Sequence, residues 1–168
     1  IGYYDSVVVP LTVGLTDGGQ DIAIQGEMTI GVCEDICIPV TLTFDALLPA
    51  IGAPDAAIKT AMADLPTTQS AANVGAVTCK IDPIIDGLRM TTAINVASTG
   101  TSEHVVIETS DPRVWVSEAT SVRIGDTLQA TVDLVHPSGQ PFAMDRSGVR
   151  ITVLGTDQAI DIRGCTAG

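Results

Sequence analysis

The sequence predicts an all-β protein built as an antiparallel sandwich. Three observations carry this. Short alternating or β-branched runs recur at spacings of roughly 8 to 12 residues between turn signals. Aromatics are scarce, with Phe44, Phe142, Trp115, Tyr3 and Tyr4 the whole set, so Val, Ile, Thr and Ala must fill the core. Hydrophobic residues make up 45% of the 168-residue chain and charged residues 17%, a balance of ordered and not of solvated chains.

The first predicted strand is Val7 to Val13, with Pro10 marking it as an edge strand or a bulge. The turn Thr16-Asp17-Gly18-Gly19 follows and reads as a hairpin signal. From Asp21 to Thr29 the chain alternates, with Ile22, Ile24, Gly26 and Met28 on one side. Val40, Leu42 and Phe44 then alternate with threonines as a further strand. One helix is predicted, opened by Pro54-Asp55, striped by Ala57, Ile58, Ala61, Met62 and Leu65, and ended by Pro66. Thr67 to Ala76, small and polar, reads as a linker.

Beyond it the predicted strands are Val77 to Ile81, Leu88 to Val96, His104 to Glu108, Val114 to Ser117, Leu128 to Val135, Val149 to Leu154 and Ala159 to Arg163. Asp86-Gly87, Ser98-Thr99-Gly100, Gly125-Asp126, Pro137-Ser138-Gly139 and Gly155-Thr156-Asp157 separate them. The expected organisation is therefore two β units, 1–66 and 67–168, joined by a short helix and linker.

Formal net charge is -12, from 20 acidic and 8 basic residues. Such a surface is repelled by nucleic acid and by anionic lipid, which sets both aside as partners. The acidity is uneven: residues 1–66 carry nine Asp/Glu against Lys59 alone, residues 67–168 eleven against seven bases. No apolar run reaches the roughly 18 residues of a membrane span, so direct membrane insertion is not expected. Nor does a charged-then-apolar leader open the chain, and it reads as a mature or trimmed piece.

Four cysteines, Cys33, Cys37, Cys79 and Cys165, allow three pairings and lean toward an oxidising compartment. Cys33 and Cys37 sit in GVCEDICIPV. Residues four apart in an extended strand are about 13 Å apart. A disulfide needs Cα atoms at roughly 4.4 to 6.8 Å, so Glu34-Asp35-Ile36 must turn back as a tight loop or one helical turn. A ring this small removes little entropy from the unfolded chain. A Cys79–Cys165 bridge would close about 86 residues and contribute roughly 4 to 5 kcal/mol. The partition is thus a local, labile pair suited to redox work and a distant, structural pair. A short structural staple and two unpaired thiols stand beside that reading. Zinc is disfavoured, because it takes four Cys/His ligands and His104 and His136 lie far off in the sequence. Glu34 and Asp35 add negative charge beside the thiols, which slows spontaneous attack and calls for a partner that brings activating charge.

GYYDSVVVPLTV, the alternating strand after it and GVCEDICIP together resemble the periplasmic N-terminal domain of the DsbD/ScsB-like thiol:disulfide interchange family. The residues that carry the likeness are Tyr3 or Tyr4, Pro10, Cys33, Cys37 and Pro39, and the C-x3-C spacing is similar to the ScsB-like branch. The resemblance implies an immunoglobulin-like sandwich over 1–66, N-terminally incomplete, with Cys33 and Cys37 as the exchanging pair. It implies thioredoxin-fold partners, a membrane-embedded electron donor, a location in the periplasm of a Gram-negative bacterium, and no cofactor. Tyr3, Tyr4, Glu34, Asp35 and Pro39 would support the pair. The rival reading is a non-catalytic β-sandwich used for binding or structure. Residues 67–168 carry no assigned motif. Trp115 is expected in the core and both histidines on the surface, and the scattered Met28, Met62, Met90 and Met144 do not suggest a copper site.

Overall fold

The computed structural model describes residues 2–14 and 19–168, and it is predominantly β with a single α-helix. Two compact units result: one ends at Asp64, and the other is Leu65–Gly168. The break falls two residues before the predicted boundary.

In the first unit, β1 (Ile22–Cys33) and β2 (Cys37–Leu48) form a two-stranded antiparallel sheet. Their register runs unbroken from Ile22 opposite Leu48 to Cys33 opposite Cys37. Both strands extend to the cysteines, well past the stretches that alternation alone marked out. Where the resemblance implied an N-terminally incomplete sandwich over 1–66, the described residues of this unit form one two-stranded sheet. Val7–Val13 takes no regular structure, and Pro10 at its middle has no N–H to give a ladder. The turn predicted at Thr16-Asp17-Gly18 lies outside the described residues.

The helix α1 (Ala56–Ala63) forms as expected. Its N-cap is Asp55, whose carboxylate accepts from the N–H groups of Ala57 and Ile58 at 2.8 and 3.0 Å, satisfying two donors that the first turn leaves free.

The second unit has ten strands: β3 (Thr67–Thr68), β4 (Val77–Ile84), β5 (Gly87–Asn95), β6 (Glu103–Glu108), β7 (Trp115–Val116), β8 (Thr120–Ile124), β9 (Thr127–Val135), β10 (Arg150–Gly155), β11 (Ala159–Arg163) and β12 (Thr166–Ala167). One sheet runs β12-β4-β5-β9, with β7 and β8 sharing the outer edge of β9. The other runs β3-β11-β10-β6. Set aside the short β3, β7 and β12, and β4-β5-β9-β8 against β6-β10-β11 is the strand order of a seven-stranded immunoglobulin constant-type sandwich. This unit is immunoglobulin-like.

Its core follows from period-2 alternation. Leu88, Met90 and Ile94 of β5 and Leu128, Val132 and Leu134 of β9 point inward from one sheet. Val105 and Ile107 of β6, Ile151 and Val153 of β10 and Ile160 and Ile162 of β11 meet them from the other, in one contiguous cluster. Thr92, fully buried among them, donates its hydroxyl to the Ala130 carbonyl. Gly87 is required at the β4–β5 turn, since a Cβ there would lie 2.0 Å from the Leu134 carbonyl oxygen.

Two expectations are corrected here. Thr67–Ala76 is not a free linker: β3 pairs with β11, the Gly75 N–H donates to the Asn95 carbonyl, and Ala72 and Val74 pack on the core. Trp115 is 61% exposed because Val114 and Val116 take the inward positions on either side of it.

The strand β8 was not anticipated, and its pattern explains why. Val122 and Ile124 face outward while Ser121 and Arg123 are half-buried, the reverse of an ordinary amphipathic strand. Arg123 can sit inside because it meets Glu103 of the opposite sheet. Its Nε and Nη2 donate to the two Glu103 carboxylate oxygens at 2.6 Å each, and Nη1 donates to the Val96 carbonyl at 2.8 Å. Buried Thr99 adds its N–H and hydroxyl to the same carboxylate. The Arg123 guanidinium, aided by Thr99, therefore holds the Glu103 carboxyl at about 2, against its ordinary 4.5.

Candidate functional site

Side chains on the β1–β2 hairpin separate by strand alternation into two unlike faces. One face bears Ile22, Ile24, Met28, Ile30 and Val32 on β1 against Leu48, Ala46, Leu42, Val40 and Ile38 on β2. On this apolar side Gly26 faces Phe44, and the phenyl ring occupies the space where a Cβ of residue 26 would stand. The opposite face is polar along its middle, with Ala23 and Leu47 at its far end. There Gln25 donates to Asp45 at 2.8 Å, and the Thr29 and Thr41 hydroxyls lie 3.2 Å apart.

The cysteines end the polar face. Cys33 and Cys37 are cross-strand partners joined by a disulfide, with Cα atoms 4.0 Å apart. Glu34-Asp35-Ile36 forms the three-residue loop, closed by the Glu34 N–H donating to the Ile36 carbonyl at 3.2 Å. The required turn is therefore a hairpin tip and not a helical turn. The rung behind the bridge pairs Gly31 with Pro39. A Cβ at Gly31 would stand 3.8 Å from the Cys33 sulfur, so the glycine leaves that side of the disulfide uncovered.

Both cysteines are exposed, as are Glu34, Asp35 and Pro39. A shallow hollow at the tip is lined by Val32, Cys33, Glu34, Asp35, Ile36 and Ile38. Val32, Ile36 and Ile38 were not singled out from the sequence. The alternation through Ile22–Val32 and Ile38–Leu48 was the available signal for two of them. Tyr3 and Tyr4 are 79% and 93% exposed in the irregular N-terminal stretch and do not line the hollow.

The second disulfide, Cys79–Cys165, spans 86 residues with Cα atoms 5.7 Å apart. Cys79 lies on β4 with no exposed surface, and Cys165 follows β11, where the chain crosses to the other sheet. Gly164 makes that crossing at φ +73°, a left-handed conformation that favours glycine. Arg146 secures both ends: its guanidinium donates to the Cys79 carbonyl and its own carbonyl accepts from the Cys165 N–H, each at 3.2 Å.

Elsewhere, exposed His104 lies 3.2 Å from the Ser102 hydroxyl. His136 is half-buried, tilted against Phe142 and 2.9 Å from the Ser138 hydroxyl. Among the described residues no group of three or more His, Cys, Asp or Glu is arranged to hold a metal ion. No helix of the described residues is long and apolar enough to cross a membrane.

No family model and no curated relative matches the chain. Among solved structures, the crystal structure of the N-terminal periplasmic domain of ScsB from Proteus mirabilis is similar, at 17% identity and a TM-score of 0.59. The match covers 87% of this chain and 58% of that one, so the chain spans a little over half the length of that domain. At this identity the likeness is one of fold.

Proposed function

We propose that the chain is a periplasmic thiol:disulfide interchange module that passes electrons by dithiol–disulfide exchange with thioredoxin-fold partners, with Cys33–Cys37 as the cycling pair. The observation that carries the reading is the placement of this disulfide: exposed, at a hairpin tip, closing a ring of five residues. A bridge so placed is reachable by an attacking thiolate and costs the rest of the fold little when opened. Cys79–Cys165, by contrast, is sunk into a core strand. The fold likeness to a periplasmic domain of ScsB supports the compartment and the chemical class.

The exchange conserves atoms and electrons. A partner thiolate attacks one sulfur of the pair, the S–S bond breaks, and a mixed disulfide forms as the other cysteine leaves as a thiolate and takes a proton. The partner's second thiol then resolves the mixed disulfide. The partner ends as a disulfide, and Cys33 and Cys37 end as two thiols.

The test is equilibration of the full chain in graded dithiothreitol or glutathione buffers, with free thiols alkylated and mapped. Cys33 and Cys37 should become reactive at potentials where Cys79 and Cys165 remain paired. Equal resistance of the two bridges would remove the exchange role.

The second reading, a binding module that transfers no electrons, draws on the exposed apolar face between Met28 and Phe44. Incubation with a thioredoxin-fold protein reduced to one active cysteine separates the two. A mixed disulfide at Cys33 or Cys37 supports exchange, and its absence supports binding alone.

A further inference from the structure

We infer that the exchange site selects among attacking thiols, taking those set in a cationic and apolar surround and excluding anionic ones. This rests on the exchange reading of Cys33–Cys37 and names the class of partner. Three features of the tip converge on it. The disulfide is bordered by two exposed carboxylates, Glu34 and Asp35, in a loop whose ends are 4.0 Å apart, so neither charge can move far from the sulfurs. The hollow beside them is otherwise walled by Val32, Ile36 and Ile38. No compensating cation is close in sequence, since Lys59 is the single basic residue among nine acids in residues 1–64.

An incoming thiolate is itself an anion. At this tip it meets like charge before it meets sulfur, and repulsion lowers its local concentration. Cationic neighbours on the partner reverse the sign of that encounter. They also stabilise the thiolate that leaves the opened pair, which is otherwise held beside carboxylates. Apolar neighbours on the partner cover the Val32, Ile36 and Ile38 wall, exclude water and strengthen the charge contacts. A second copy of the chain is a poor occupant, because it would bring the same excess of acid to the contact.

The experiment uses the oxidised full chain and two synthetic peptides. Each has one cysteine between two leucines, flanked in one peptide by lysines and in the other by glutamates. Reactions are run at matched thiolate concentration, quenched with acid and read by mass as mixed disulfide. Dithiothreitol serves as a control whose thiolate has no charged neighbours. The cationic peptide should react at least about tenfold faster in low salt, and the difference should shrink to about twofold in 1 M salt, where screening reaches about 3 Å. In the double variant Glu34→Gln/Asp35→Asn the ratio should fall at least threefold. An Asp86→Asn/Glu118→Gln variant, which removes two exposed charges from the other unit, should leave the ratio unchanged. Equal peptide rates on the wild type, or a ratio unmoved by the tip variant, would overturn selection while leaving exchange intact. Failure of dithiothreitol and both peptides to open Cys33–Cys37 would instead overturn the exchange reading itself.

Discussion

The two disulfides of this chain differ less in chemistry than in what lies around them. Cys33–Cys37 closes five residues at the exposed tip of a two-stranded ribbon, and a carboxylate is its immediate neighbour. Cys79–Cys165 ties β4 to the segment between β11 and β12 across 86 residues, with Cys79 in the core and both backbones held by Arg146. Covalent geometry alone does not tell a working bridge from a holding one. The proposed assignment rests on burial and the length of chain restrained, because the first controls access and the second controls how much the unfolded state is confined.

The strongest way to break this contrast is to remove each bridge. Replacing Cys79 and Cys165 together by alanine should lower the stability of the second unit by about 4 to 5 kcal/mol, measured by urea unfolding. The same change at Cys33 and Cys37 should cost no more than about 2 kcal/mol by the same relation, and only in the first unit. Equal losses would mean that the tip bridge is also a structural element.

Acid should reach the second unit through Glu103. Its carboxyl is held at about 2 in the folded state, below the ordinary 4.5. A depressed carboxyl contributes stability that is fully present above the unfolded value and is lost as pH falls through the folded one. Stability should therefore decline between about pH 5 and pH 2, by at most about 3 kcal/mol from this group. Glu103→Gln should flatten that slope and cost about 2 to 3 kcal/mol at neutral pH, because half-buried Arg123 loses its ion pair. A pH profile unchanged by the variant would show that the slope comes from elsewhere. Since the pair connects the two sheets, the effect belongs to the sandwich; the redox response of Cys33–Cys37 should not move.

Two smaller effects probe the first unit. Asp55→Ala should weaken α1 by about 1 kcal/mol, because the Ala57 and Ile58 N–H groups lose their acceptor. Gly26→Ala should displace the Phe44 ring and cost the hairpin about 0.5 to 1 kcal/mol, seen as faster amide exchange along β1 and β2. No change at Gly26 would mean that the exposed ring swings away freely.

Much of this was open to a reader of the sequence. Pro54-Asp55 and Pro66 bracketed the helix, and six of the seven strands predicted after residue 76 fell within one residue of the observed ones at both ends. The seventh, Val77 to Ile81, runs on three residues to Ile84, through Pro83. Failures came where local pattern and tertiary demand disagree. Val7–Val13 has the composition of a strand and takes no partner in register among the described residues. Thr67–Ala76 has the composition of a linker, yet its backbone groups are paired. Trp115 sits between two valines that take the inside.

The sequence by itself settled what depends on neighbours a few positions apart: the β character, the capped helix, the need for a turn between Cys33 and Cys37, and the difference in ring size between the two cysteine pairs. Tertiary structure alone decided what depends on residues far apart. It placed the cysteine pair at the tip of a ribbon with an apolar and a polar face, buried Cys79, and let Arg123 occupy an inward position. Local propensity is set by each residue's own conformational preferences. Burial and charge pairing are set by whatever the fold brings alongside, and Glu103 lies 20 residues from Arg123.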